Sequence, residues 1–211
     1  MAEGSLTLVA RQPILEVSGR LHAHELLFRG EGDALTGGGE RATASVLVST
    51  FLDARLDEVT AGKPVWINVS REFLLRVDPL PFPPARVVLE LLEDQFVDAL
   101  LLDRLATLRL EGYEIALDDF AWTPSAAPLL DLVTHVKLDV RALGIDGFAE
   151  HVRMLSGRDL VILAEKVETA TEAAAVVSLG AQLLQGFHFA RPEAVPAGHS
   201  RARAPPPCAA R

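Results

Sequence analysis

Acidic, amide and amine side chains recur at the ends of apolar runs along this chain. Glu25 follows "LHAH", Asn68 ends "PVWIN", and Glu90 and Glu93 sit in "RVVLELLE". Asp118 and Asp119 end "YEIALDD", Lys137 and Asp139 lie in "HVKLDV", Glu165 and Glu168 belong to "LVILAEKVE", and Gln185 ends "AQLLQ". An unpaired charge inside such a run costs several kcal/mol, so a repeated pattern of them implies a common purpose. Five or six carboxylates cannot all stay ionised in one pocket unless cations hold them. Oxygen ligands without cysteine, and with few histidines, suit hard cations such as Mg²⁺ or Mn²⁺. Adjacent Asp118 and Asp119 point to opposite sides of an ideal strand, but a turn at the strand end lets both face one pocket, and that pair could serve two metals. Such two-metal sites are a recurrent solution for phosphodiester hydrolysis, and Lys137 would add fixed positive charge or orient the attacking water.

His22 and His24 offer a competing reading, the His-x-His metal pair of an amidohydrolase-type barrel. Residues two apart on a strand share a face, so the pair is geometrically allowed. That chemistry wants further histidines at later strand ends, whereas His135 opens its strand and His151 falls in a helical pattern. Glu25 is out of phase with both histidines, so if Glu25 points inward they point outward. Arg29, four residues on, returns to the face of Glu25.

The elements that must position these residues alternate. Eight β-rich runs are separated by segments of helical periodicity: "LTLVARQPI", "LHAHELLFR", "PVWINVS", "RVVLELLE", "YEIALDDF", "HVKLDV", "LVILAEKV" and "AQLLQGFHF". Helices are predicted in "ERATASVLVSTFLDARLDEV", "DQFVDALLLDRLATLRLEG", "IDGFAEHVRMLSG" and "ETATEAAAVVSLG", with shorter ones after "INVS" and "ALDDF". The alternation predicts an α/β fold, a (β/α)8 TIM-like barrel. Only "LEVSG" separates the first two runs, too little for a helical crossover, so the first strand should be antiparallel. In such a barrel the site is built at the C-terminal strand ends, where the polar residues collect.

Composition sets the bounds. The chain has 211 residues, 49% hydrophobic and 23% charged, values of a globular protein with one principal domain. Its 29 acidic against 20 basic residues argue against DNA or general phosphate-backbone binding. The single cysteine, Cys208, excludes a disulfide framework, and no apolar run is long enough for a membrane helix, which predicts a cytoplasmic protein. "GEGDALTGGGE" reads as a mobile loop, and residues 193–211 as a disordered tail rich in Pro, Ala and Arg.

The segments "RQPI", "HELLFR", "INVS", "VVLELLE", "ALDDF", "VKLD", "AEKVE" and "LLQGFHFARP", in that order, resemble the bacterial EAL domain, over about residues 8 to 192. The resemblance is closest to the EAL half of proteins that join it to an HDOD domain. It implies the EAL fold over residues 1–192, cyclic di-GMP as ligand, hydrolysis to linear pGpG in second-messenger signalling, and Mg²⁺ or Mn²⁺ at a two-metal site. By position, Glu25, Asn68, Glu90 and Asp118 match metal ligands and Asp119 a ligand of the second metal. Lys137 and Glu165 match residues that position or activate water, and Gln185 a polar group near the metals. Gln12 and Arg29 match ligand contacts, Arg29 suiting a phosphate. Glu93 matches an anchor of the loop after the aspartates, and Glu168 a site-lining carboxylate. A homodimer and an HDOD domain or other signalling protein are the partners it implies.

Three departures stand out. Leu26 replaces the alanine of the Glu-Ala-Leu triplet, "DDFAWTPSAAP" replaces a glycine-rich "DDFGTGYSS", and Lys166 stands where glycine is usual. The altered loop keeps open a second function, that of a catalytically weak or inactive domain acting as a cyclic di-GMP sensor or protein-interaction module.

Overall fold

The computed structural model describes residues 8–29, 60–92, 96–124 and 126–195. The predicted helix over 40–59, the "GEGDALTGGGE" loop and residues 196–211 of the predicted tail lie outside them. The strands are β1 (Leu8–Glu16), β2 (Leu21–Arg29), β3 (Val65–Val69), β4 (Val87–Leu91), β5 (Glu114–Leu117), β6 (His135–Asp139), β7 (Val161–Glu165), β8 (Leu183–Leu184) and β9 (Glu193–Val195). The helices are α1 (Arg71–Arg76), α2 (Ala99–Leu110), α3 (Val140–Leu155) and α4 (Ala170–Leu179).

The sheet runs β2-β3-β4-β5-β6-β7-β8-β1, and pairing of β1 with β2 closes it into an eight-stranded barrel. Strands β2 to β8 are parallel to their neighbours, as crossover connections require, whereas β1 is antiparallel to both β2 and β8. A tight turn at Val17–Arg20, closed by Gly19 N–H donating to Glu16 O at 2.8 Å, makes β1 and β2 a hairpin. The strands are rich in Val, Ile and Leu and buried on both faces, as a helix-wrapped parallel sheet demands.

Strand alternation divides the barrel interior into two storeys. Ile14, Ala23, Trp66, Val88, Ala116, Leu163 and Leu183 pack together as an apolar plug, with the His135 ring edge-on to Trp66 at 4.8 Å. Two residues further along each parallel strand, on the same inward face, stand Glu25, Asn68, Glu90, Asp118, Lys137, Glu165 and Gln185. Because β1 runs the other way, Gln12 reaches the same storey from two residues before Ile14, in register with Glu25.

The outer helices are fixed by caps and by apolar stripes. Asp98 caps α2 by accepting from Leu101 N–H at 2.9 Å, and α2 buries Leu101, Leu105 and Leu108 at helical spacing. Thr169 and Glu172 form a reciprocal capping box at the start of α4, and Gly180 ends it in the left-handed conformation. Helix α3 starts at Val140, earlier than the predicted 145, with Gly144 breaking its backbone at φ 65°.

Two segments differ from expectation. The eighth strand is only two residues long, because Gly186 turns the chain and its carbonyl accepts from Phe189 and Ala190 N–H. Residues 193–195, predicted to be tail, form β9, whose backbone pairs with Val9–Arg11. An open edge of β1 supplies partners that the local composition does not reveal.

Candidate functional site

The polar storey opens into a cavity of about 400 Å³ at the C-terminal strand ends, lined by Gln12, Glu25, Asn68, Asp118, Asp119, Lys137, Glu165, Glu168 and Gln185 among others. Glu90 lies behind it, fully buried. Arg29 has its backbone in β2 and its side chain outside the described residues, as does Glu93 entirely. His22 and His24 project away from this storey, and the Glu16 carboxylate is 4.0 Å from His22 Nδ1.

Lys137 is the centre of the site. Its Nζ stands 2.6 Å from Asp118 Oδ1, 2.9 Å from Glu90 Oε1, 3.3 Å from Glu165 Oε2 and 3.5 Å from Glu25 Oε1. The other oxygen of Glu25 accepts from Gln185 Nε2 at 2.6 Å, and Gln12 Nε2 donates to Ala190 O at 3.0 Å. Burial alone would strip the Lys137 proton, but Glu90, Glu25, Glu165 and Asp118 reverse that and hold its pKa well above the usual lysine range.

One ammonium cannot neutralise four carboxylates. Desolvation, with Glu25 and Asp118 adding repulsion, pushes the Glu90 carboxyl well above the usual range in spite of Lys137. Desolvation likewise lifts Glu165 to about 8, against the pull of Lys137. Both Glu90 oxygens, Asp118 Oδ1, Glu165 Oε1 and Asn68 Oδ1 are buried without an aligned hydrogen bond, although Lys137 is within ion-pair distance of three of those carboxylates. Buried acceptors left short of donors are what a hard cation satisfies, and the donor set of Glu25, Asn68, Glu90 and Asp118 is all oxygen. These residues fit a divalent metal.

A second acidic group lies at the rim. Asp119, Asp139 and Glu165 each present an oxygen, all within 4.8 Å of one another. Asp119, which resemblance assigns to a second metal, is bonded in the structure to Lys166, whose Nζ also donates to Asp139. Burial raises the Asp119 pKa, but bonds from the Glu165 carboxyl and Lys166 outweigh it and leave it below the usual value. Glu168 lines the rim and pairs with Arg141 at 2.8 Å. Asp139 stands out in sequence only as one polar residue of "HVKLDV"; its place in the rim group depends on Asp119, just past β5, and Glu165 at the end of β7.

The "DDFAWTPSAAP" loop leaves the site through Phe120, which is buried and bonded from its N–H to Lys137 O at 3.0 Å, while Trp122 is 41% exposed. Among the described residues no helix is long and apolar enough to cross a membrane.

Comparison with known proteins agrees with this architecture. The EAL domain family matches residues 65–192. A cyclic di-GMP phosphodiesterase of Vibrio cholerae, CdgJ, is 36% identical over 194 residues, 90% of this chain and 45% of that protein. The uncharacterised Bacillus subtilis protein YuxH is 34% identical over 203 residues, 90% of this chain and 48% of that one. The chain thus spans about half the length of the curated relatives it matches. Among solved structures, a manganese and cyclic di-GMP complex of Klebsiella pneumoniae BlrP1 superposes with a TM-score of 0.74 at 23% identity, covering 92% of this chain and 57% of that one.

Proposed function

Since this chain belongs to the EAL domain family, we propose that it hydrolyses cyclic di-GMP to linear pGpG with Mg²⁺ or Mn²⁺ held by Glu25, Asn68, Glu90 and Asp118. The observation that carries the reading is the set of buried oxygens left without aligned donors around Lys137. The named activity of the Vibrio relative and the manganese complex of the Klebsiella protein support it.

When bound, the cation would polarise the phosphate, activate water and neutralise charge developing in the transition state. Water adds to phosphorus as one ester P–O bond breaks; the water gives up its proton to a base, and the departing ester oxygen takes one from solvent to leave as a hydroxyl. Glu165, 3.3 Å from Lys137, stands at the cavity wall and, once ionised beside the bound cation, would accept the water's proton. Lys137 holds Glu165 and Asp118 in one cluster and offsets part of the negative charge that an incoming phosphate would meet. Gln185 fixes Glu25 through their 2.6 Å bond. Gln12 and Arg29 contact the nucleotide in this reading, Arg29 at a phosphate, with Glu168 lining the entrance and Glu93 anchoring the loop after the aspartates.

The assay is chromatography of cyclic di-GMP incubated with the protein and Mg²⁺ or Mn²⁺. Conversion to pGpG is expected, and intact nucleotide with either ion at high protein overturns the enzymatic reading. The loop with Trp122 and Pro124 favours a second reading, a nucleotide sensor. Calorimetric binding in Ca²⁺, together with no turnover in Mg²⁺ or Mn²⁺, would establish that one. The reading places the protein in the bacterial cytoplasm as a homodimer, with an HDOD domain or other signalling protein as its output partner.

A further inference from the structure

We infer that the Lys166 ammonium occupies the place of a second divalent cation, so that this chain binds one metal ion where two carboxylate groups invite two. The inference rests on the metal-centre reading above. Lys166 Nζ lies 2.7 Å from Asp119 Oδ1, 2.6 Å from Asp139 Oδ2 and 3.9 Å from Glu165 Oε1. Those are the three residues whose oxygens converge at the rim. A cation is already among them, and it is part of the chain.

The two acidic groups differ in what they still lack. Around Lys137, Glu90 keeps both oxygens without aligned donors and Asn68 and Asp118 keep one each, while Glu165, shared by both groups, keeps Oε1 without one, 3.9 Å from Lys166 Nζ. At the rim, Asp119 Oδ1 and Asp139 Oδ2 each receive a hydrogen bond from Lys166. The remaining Asp139 oxygen is committed as well, since Oδ1 caps α3 by accepting from Arg141 N–H at 2.7 Å and Ala142 N–H at 3.0 Å. An incoming ion would have to displace the ammonium from both aspartates, and the displaced group could not diffuse away.

The backbone holds the ammonium there. Lys166 takes φ 58°, a left-handed conformation that favours glycine, and Asp119 takes φ 42°. Directly after Lys166, Val167 donates from its N–H to Gln185 O at 3.1 Å and accepts from His188 N–H at 3.0 Å. Gly186 packs so closely on Val167 that an added Cβ would meet its carbonyl oxygen at 2.1 Å. The turn that aims Lys166 is thereby fixed against the end of β8.

The test is a count of bound Mn²⁺ by calorimetry and by electron paramagnetic resonance, without nucleotide, on the wild type, Lys166→Gly and Lys166→Met. Glycine relieves the left-handed backbone, and methionine keeps the side-chain length without charge. The expected stoichiometry is one for the wild type and two for both variants. Two ions in the wild type, or one in all three proteins, overturns the inference. No ion in any protein overturns the metal centre along with it. Failure of nucleotide hydrolysis with counts of one and two would sink the proposed reaction and leave the role of Lys166 standing.

Discussion

Replacing Lys137 by methionine should turn the site from a tolerated acidic cluster into a folding defect that metal repairs. Methionine keeps most of the volume, so little cavity opens and the loss is electrostatic. Four carboxylates then face one another, three of them, Glu25, Glu90 and Glu165, among the buried residues. Removing one partner of a buried ion pair costs about 3–5 kcal/mol. For a domain of this size each 1 kcal/mol lowers the melting temperature by roughly 2–4 °C, which gives a fall of about 6–20 °C in a chelator. Carboxyl groups that take up protons relieve repulsion, so the defect should shrink as the pH is lowered. A divalent ion at about a hundred times its dissociation constant restores about 2.7 kcal/mol. Thermal denaturation monitored by circular dichroism, in EDTA and in saturating Mn²⁺, reads both effects. The metal-induced rise should be larger for Lys137→Met than for the wild type. A variant that melts within about 2 °C of the wild type in EDTA would refute the reasoning, because Lys137 would then not be the counter-charge that the acidic storey requires.

Three further outcomes follow from the packing. Burial lowers the His135 pKa to about 4, so the folded protein resists a proton that the unfolded chain accepts near 6.5; stability is present above that value, falls as the pH drops from about 6.5 to 4, and His135→Phe should flatten this segment of a urea-denaturation profile by up to about 3 kcal/mol. Gly186→Ala forces a Cβ to within 2.1 Å of the Val167 carbonyl oxygen, so urea denaturation should show a loss of about 2 kcal/mol or more, and the displaced neighbour Gln185 should lower nucleotide turnover. Thr169→Ala removes one half of the α4 capping box and should cost about 1 kcal/mol in the same denaturation assay.

Much of the site is legible in sequence because strand geometry is periodic. Glu25, Asn68, Glu90, Asp118, Lys137, Glu165 and Gln185 each follow an apolar run, and the structure brings all seven to one storey of the barrel. The outward phase of His22 and His24 follows from the same alternation. The role of Lys166 is not legible locally: its partners Asp119 and Asp139 lie 47 and 27 residues away, one just past the end of β5 and one at the end of β6. Nothing in "LDV" separates Asp139 as a helix cap from Asp139 as a rim carboxylate, and the structure makes it both. Strand β9 escapes prediction for a related reason, since its backbone partners come from the far end of the chain. Local pattern identifies which residues must be buried together; it does not identify which cation each carboxylate meets.

The most direct test of the account is single-turnover conversion of cyclic di-GMP by the wild type and by Glu25→Ala, side by side in Mn²⁺. Glu25 bonds Gln185 and faces Lys137 in the storey assigned to the metal. pGpG is expected from the wild type and a loss of about a hundred- to a thousandfold from the variant, the scale on which removal of a key electrostatic group acts. Equal conversion by both proteins would contradict the assignment of the metal centre, and no conversion by the wild type would contradict the proposed reaction itself.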